Sequence, residues 1–137
     1  MCTERIVVKS LKFYFSVLCL LIAMWSVHCA ADSAEIEQLI AFVAQTQCEY
    51  ERNGTRHTGA EAVTHIKKKY DYYREDIETT EDFIRLAAKQ SALSGKEYRV
   101  HCPNEQSISS ETWLLNELTR IRQTTEGSTQ QDRALKR

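Results

Sequence analysis

The chain predicts an α+β domain, mostly helical, with about four helices packed on a short two-stranded antiparallel ribbon clamped by one disulfide. Three observations predict it. Four stretches place apolar residues three and four apart, the spacing of one helix face. Two short segments, Cys48–Arg52 and Tyr98–Cys102, alternate side to side as strands do. Each carries one of the two cysteines left once an N-terminal export signal is removed.

That signal reads from the first residues. Arg5, Lys9 and Lys12 form a basic region, and Phe13–Val27 is a run of 15 residues without charge. His28-Cys29-Ala30-Ala31 follows, with small Cys29 and Ala31 placed for cleavage, and polar sequence begins at Asp32. The pattern is that of a secretory signal peptide over 1–31, with cleavage expected after Ala31. The apolar run is shorter than the roughly 20 residues of a membrane-spanning helix, so no stable membrane span is expected after cleavage. Removal of Cys2, Cys19 and Cys29 leaves Cys48 and Cys102. Two cysteines in an exported chain read as one disulfide. Closing a loop of about 55 residues, it would stabilise the fold by about 4 kcal/mol in the chain-entropy account. The 137-residue chain has a net charge of −1, with 18 basic and 19 acidic residues, which gives no field for nucleic acid. Losing three bases and one acid takes the mature chain to −3.

A single globular domain is expected over 32–123. Asp32 or Ser33 caps the first helix in this reading, with Glu35 in capping-box spacing. Ile36, Leu39, Ile40 and Val43 form its inner stripe. Cys48-Glu49-Tyr50-Glu51-Arg52 then alternates until Asn53-Gly54 breaks the pattern. Pairing it antiparallel with Tyr98–Cys102, Cys48 opposite Cys102, sets Tyr50 against Val100 and Arg52 against Tyr98. A one-residue slip would separate these apolar sets. Asn53-Gly54-Thr55 also matches a glycosylation acceptor.

Thr58-Gly59-Ala60-Glu61 is a capping box that opens the second helix. Val63, Ile66, Tyr70, Tyr73 and Ile77 are its stripe, and Lys67–Lys69 with the nearby acids Asp71, Glu75 and Asp76 read as a solvated face. Thr79 or Thr80 caps a third helix ending near Gln90, buried through Phe83, Ile84, Leu86 and Ala87. Small residues from Ser91 to Gly95 lead into the second strand, and Pro103-Asn104 ends it. Ser109 or Ser110 caps the last helix, with Trp113, Leu114, Leu115, Leu118 and Ile121 along it. Residues 124–137 are almost free of apolar side chains and are expected to be a disordered C-terminal tail.

The sequence holds no GxSxG, HExxH, phosphate loop or CxxC. With both cysteines bridged, no thiol nucleophile is left. Polar residues instead crowd the exit of the first strand: Arg52, Asn53, His57, Glu61, His65 and Lys69. These are the candidate binding residues. Glu61, His65 and Lys69 lie one turn apart on one helix face. A Glu–His pair at this spacing can hold a metal or orient an imidazole, and it can equally be a hydrogen-bonded surface pair. His57 and His65 lie on the order of 12 Å apart along the helix axis, too far to share one ion unless the chain before the cap folds back. No metal or cofactor is therefore expected. Arg52, on the tyrosine face, can stack on a ring, pair with Glu61, cap the preceding helix or hold a ligand's carboxylate or phosphate.

The combined spacing is specific where its pieces are not. It runs Cys48-x-Tyr50-x-Arg52-Asn53-Gly54-x-x-His57, Glu61-Ala62-x-x-His65-x-x-x-Lys69-Tyr70 and Phe83-Ile84. It continues with Ser94-Gly95-x-x-Tyr98-x-Val100-x-Cys102 and Trp113-Leu114. Over about residues 35–122 the chain resembles the YfeK-like family of small exported bacterial proteins. The resemblance implies a periplasmic or envelope location and makes glycosylation of Asn53 irrelevant. The family is of unknown function, so no activity follows from it. The first functional expectation is a binding module for a periplasmic or envelope protein, acting through the Arg52–Lys69 surface. The alternative is a small metal- or anion-dependent enzyme using His57, Glu61 and His65.

Overall fold

The computed structural model describes residues 28–136; residues 1–27, on which most of the expected signal peptide falls, lie outside them. Helix α1 (His28–Gln45) leads to strands β1 (Glu49–Arg52) and β2 (Thr55–His57). Helix α2 (Gly59–Tyr72) follows, then a 3₁₀ turn (Arg74–Asp76) and α3 (Thr80–Phe83), which continues as a π turn (Ile84–Ala88). Strands β3 (Arg99–His101) and β4 (Ile108–Ser109) precede the last helix, α4 (Ser110–Leu135). The fold is α+β and mostly helical, and residues 34–136 lie in one compact unit.

The predicted ribbon lies at the centre of a larger sheet, ordered β2-β1-β3-β4 and antiparallel throughout. Tyr50 pairs with Val100, as the apolar pattern requires. The Cys48–Cys102 disulfide closes the same pair of strands, with Cα atoms 4.2 Å apart. The two further strands correct the expectation of a two-stranded ribbon. Asn53 and Gly54 both take positive φ, 52° and 85°. That is the two-residue hairpin turn whose twist matches its strands, and it folds Thr55–His57 back along β1. β4 is two residues long and pairs with β3.

Alternation divides the sheet. Tyr50 and Val100 are buried on the inner face beneath the helices, joined by Tyr98 just before β3. Glu49, Glu51, Arg56 and His101 are on the outer face and bind one another. Arg56 donates to Glu49 Oε2 at 2.8 Å and lies 3.4 Å from His101 Nδ1. His101 Nε2 is 2.5 Å from Glu51 Oε2.

The helices fill the inner side with Leu39, Ile66, Phe83, Ile84, Leu114 and Leu118, all buried. Trp113 packs on Phe42 with ring centroids 4.4 Å apart, whereas Leu115 falls on the exposed side of α4. α2 begins against the backbone of α1: a Cβ added at Gly59 would stand 2.1 Å from the Val43 carbonyl oxygen. Only glycine permits that approach.

Three helix boundaries differ from expectation. α1 runs through Asp32 and Ser33 instead of being capped there. Glu35 is free for other work: Arg122 donates to both its oxygens, at 2.8 and 2.9 Å, and Thr80 donates at 2.8 Å. α2 ends at Tyr72, so Ile77 is reached through the 3₁₀ turn and packs at the core's edge. α4 continues to Leu135 through the stretch expected to be disordered. That stretch contains no proline, and the hydroxyls of Thr124, Thr125 and Thr129 each donate to a carbonyl four residues back.

Candidate functional site

α2 follows β2 through Thr58 alone, so it starts beside the hairpin and runs across the sheet's inner face. Thr58 caps it as the sequence predicts. Thr58 Oγ1 accepts from the Glu61 N–H at 3.3 Å, and Glu61 Oε2 accepts from the Thr58 N–H at 2.8 Å. A cleft of about 200 Å³ remains between the helix and the hairpin. Tyr50, Tyr98, Ala62 and Ile66 form its apolar base, and Arg52, His57, His65 and Lys68 form its charged and polar wall.

The six residues singled out by sequence divide in two. Asn53, Glu61 and Lys69 make their hydrogen bonds to groups outside the cleft. Asn53 Oδ1 accepts from Ser94 Oγ at 2.8 Å, tying the hairpin turn to the loop before β3. Glu61 reaches the cleft but its Oε2 serves the cap, and that hydrogen bond to the backbone holds its carboxyl below the usual range. Lys69 donates to the Gln90 carbonyl at 2.7 Å and lies 5.5 Å from the centre of the Tyr98 ring. There it holds the chain just past the C-cap of the π turn, at Lys89. Tyr50 OH, hydrogen-bonded to Ser110 Oγ, donates to the Ala88 carbonyl at 3.3 Å, and the Tyr98 N–H donates to Lys89 O at 2.9 Å.

Arg52, His57 and His65 remain, and all three line the cleft. Among the described residues the Arg52 side chain makes neither a hydrogen bond nor an ion pair; the pairing with Glu61 weighed from sequence is not made. His65 Nε2 lies 3.2 Å from Tyr98 OH, with the rings edge to face. Burial holds the His65 imidazole below its ordinary value, and the charges of Arg52, Lys69, Lys68 and His57 push it further down. Burial raises the Tyr98 phenol, with Arg52 opposing it.

The metal arrangement does not form. Among the described residues no three His, Cys, Asp or Glu side chains are grouped as an ion requires. The cleft's acid is spent on a cap, and its other charged groups are cations.

Sequence reasoning missed Tyr98 and Lys68 as cleft residues. Lys68 stands seven residues after Glu61, two turns along the same helix face; that spacing was the signal, although the lysine run read as solvated. Tyr98 is brought in by the β1–β3 register, which sets it beyond the Tyr50–Val100 pair.

A family model described as "Family of unknown function (DUF5329)" matches residues 30–122. The uncharacterized protein YfeK of Salmonella typhimurium is 33% identical over 90 residues, 64% of this chain and 75% of the relative. No solved structure matches the chain. The match covers the hairpin, the cleft and the disulfide together, and the chain belongs to this family of unknown function, the YfeK-like family that its sequence resembles.

Proposed function

We propose that the chain is an exported binding module that engages a periplasmic or envelope component through the Arg52–Lys69 surface, with the cleft beside α2 as the point of contact. The observation that carries this reading is Arg52, a half-buried residue at the cleft whose guanidinium makes no hydrogen bond or ion pair among the described residues. Buried arginines are ordinarily paired. The N-terminal signal pattern and the disulfide support export. No helix among the described residues is long and apolar enough to cross a membrane.

The test compares the chain with an Arg52→Ala/His57→Ala/His65→Ala variant, each immobilised and exposed to the host's envelope fraction. Loss of a specifically captured component, with the melting temperature kept, supports the reading. Capture that does not change removes this surface from consideration.

A second reading has one observation in its favour. His65 is held in the neutral form beside Tyr98 OH, as a general base would be. This is the anion-dependent branch of the enzyme alternative; the metal branch has no ligand set among the described residues. A melting temperature that rises with particular small anions, and turnover of such an anion lost in His65→Gln, would favour it.

A further inference from the structure

We propose that the cleft between α2 and the β1–β2 hairpin takes an oxyanion, a carboxylate or phosphate on a short apolar stem, with Arg52 as the residue that grips it. The inference rests on the binding reading and names the ligand chemistry.

The arginines themselves make the case. Arg56, Arg74, Arg85, Arg120 and Arg122 each pair with a carboxylate, and Arg99 bonds Ser107. Arg133 is exposed on the last turns of α4. Arg52 is the half-buried exception among the described residues, and it stands at a concave site. A guanidinium offers a planar fork of donors that matches a carboxylate or a phosphate face. His57 and His65 add ring nitrogens and Lys68 adds positive charge around the same space. The acid at its edge, Glu61, is already bound to the Thr58 N–H and hydroxyl. The cleft thus has more cationic groups than carboxylates, and among the described residues the Arg52 guanidinium makes no hydrogen bond or ion pair to Glu61.

Size and lining limit the rest of the ligand. About 200 Å³ is below the roughly 300–1,000 Å³ of sites that enclose drug-sized molecules. Tyr50, Tyr98, Ala62 and Ile66 offer an apolar base. The enclosed part is therefore an end group, such as an acidic side chain, a chain-terminal carboxylate or a small phosphate monoester. The cationic pressure on His65 fits the same picture, because a bound anion would relieve it.

The experiment is a ¹H–¹⁵N titration of the disulfide-bonded mature chain with acetate, inorganic phosphate and, as the neutral isostere, acetamide. Saturable shifts at Arg52, His57, His65 and Lys68 with either anion and none with acetamide are expected; the tighter anion tells which oxyanion the site prefers. Arg52→Gln should weaken that binding at least tenfold, and Arg56→Gln on the outer face should leave it within twofold. An equal response to acetamide, or anion binding that survives Arg52→Gln, overturns the oxyanion assignment. If no probe binds but the triple alanine variant still loses its envelope component, the oxyanion assignment falls and the binding surface stands. If no probe binds and capture does not change, both fall.

Discussion

The two faces of the sheet are made by alternate residues of the same strands, and both carry histidine beside charge, yet they are opposite in character. On the outer face Glu49, Arg56, His101 and Glu51 form a chain of contacts in which each group has a partner. On the inner face Arg52, His57 and His65 meet a cleft whose nearby acid is committed to a helix cap. The outer cluster satisfies itself across strands. The inner one keeps donors in reserve. A polar cluster points to a ligand when its partners are missing, and the count of charged residues alone does not separate the two cases.

Both faces depend on register, so the largest effect should come from the bridge that fixes it. Replacing Cys48 and Cys102 together by alanine should cost about 4 kcal/mol in denaturant unfolding. A loss near zero would mean that the hairpin and ladder hold the register alone. Next, Gly59→Ala should cost about 1–3 kcal/mol by forcing α2 away from the Val43 carbonyl. Because α2 is the cleft's wall, this variant should alter anion binding and leave the outer-face contacts in place. Unchanged binding would detach the cleft from the seating of α2. A smaller effect is expected outside: Glu51→Gln weakens a partly exposed pair and should cost no more than about 1 kcal/mol, with no change in the cleft's response.

The fourth prediction concerns pH. His65, faced by Arg52, His57, Lys68, Lys69 and Tyr98, titrates below its ordinary value of 6.5 in the fold. Above that value it is neutral in both folded and unfolded chains and contributes nothing. As pH falls past it, the unfolded chain takes up the proton first, so the fold loses stability until His65 is itself protonated. His65→Gln should flatten that part of the stability curve. An identical curve for variant and parent would show that the cleft does not hold the imidazole neutral.

The sequence made the centre of this molecule legible because its signals are local and redundant. The Tyr50–Val100 register follows from two alternating segments, and Cys48 with Cys102 fixes the same pairing a second way. Thr58 and Glu61 announce the start of α2 by spacing alone. The sheet's edges were hidden. Thr55-Arg56-His57 has no apolar residue to mark a strand, and Ile108-Ser109 is too short to show alternation. Asn53-Gly54 did carry a hairpin signal, but without a patterned strand after it the pair read as a break. In the same way six polar residues were found, yet which of them are free depends on distant partners. Ser94 ties Asn53 and Gln90 engages Lys69, and nothing in local spacing shows either contact.

The measurement that tests the contrast most directly follows the side-chain resonances of His65 and His101 through a pH titration, with and without inorganic phosphate. If the cleft is the open cationic face and the outer ladder the closed one, phosphate moves the protonation of His65 to higher pH and leaves the His101 resonances where they were. A response at His101 equal to that at His65, or none at His65, would contradict the account.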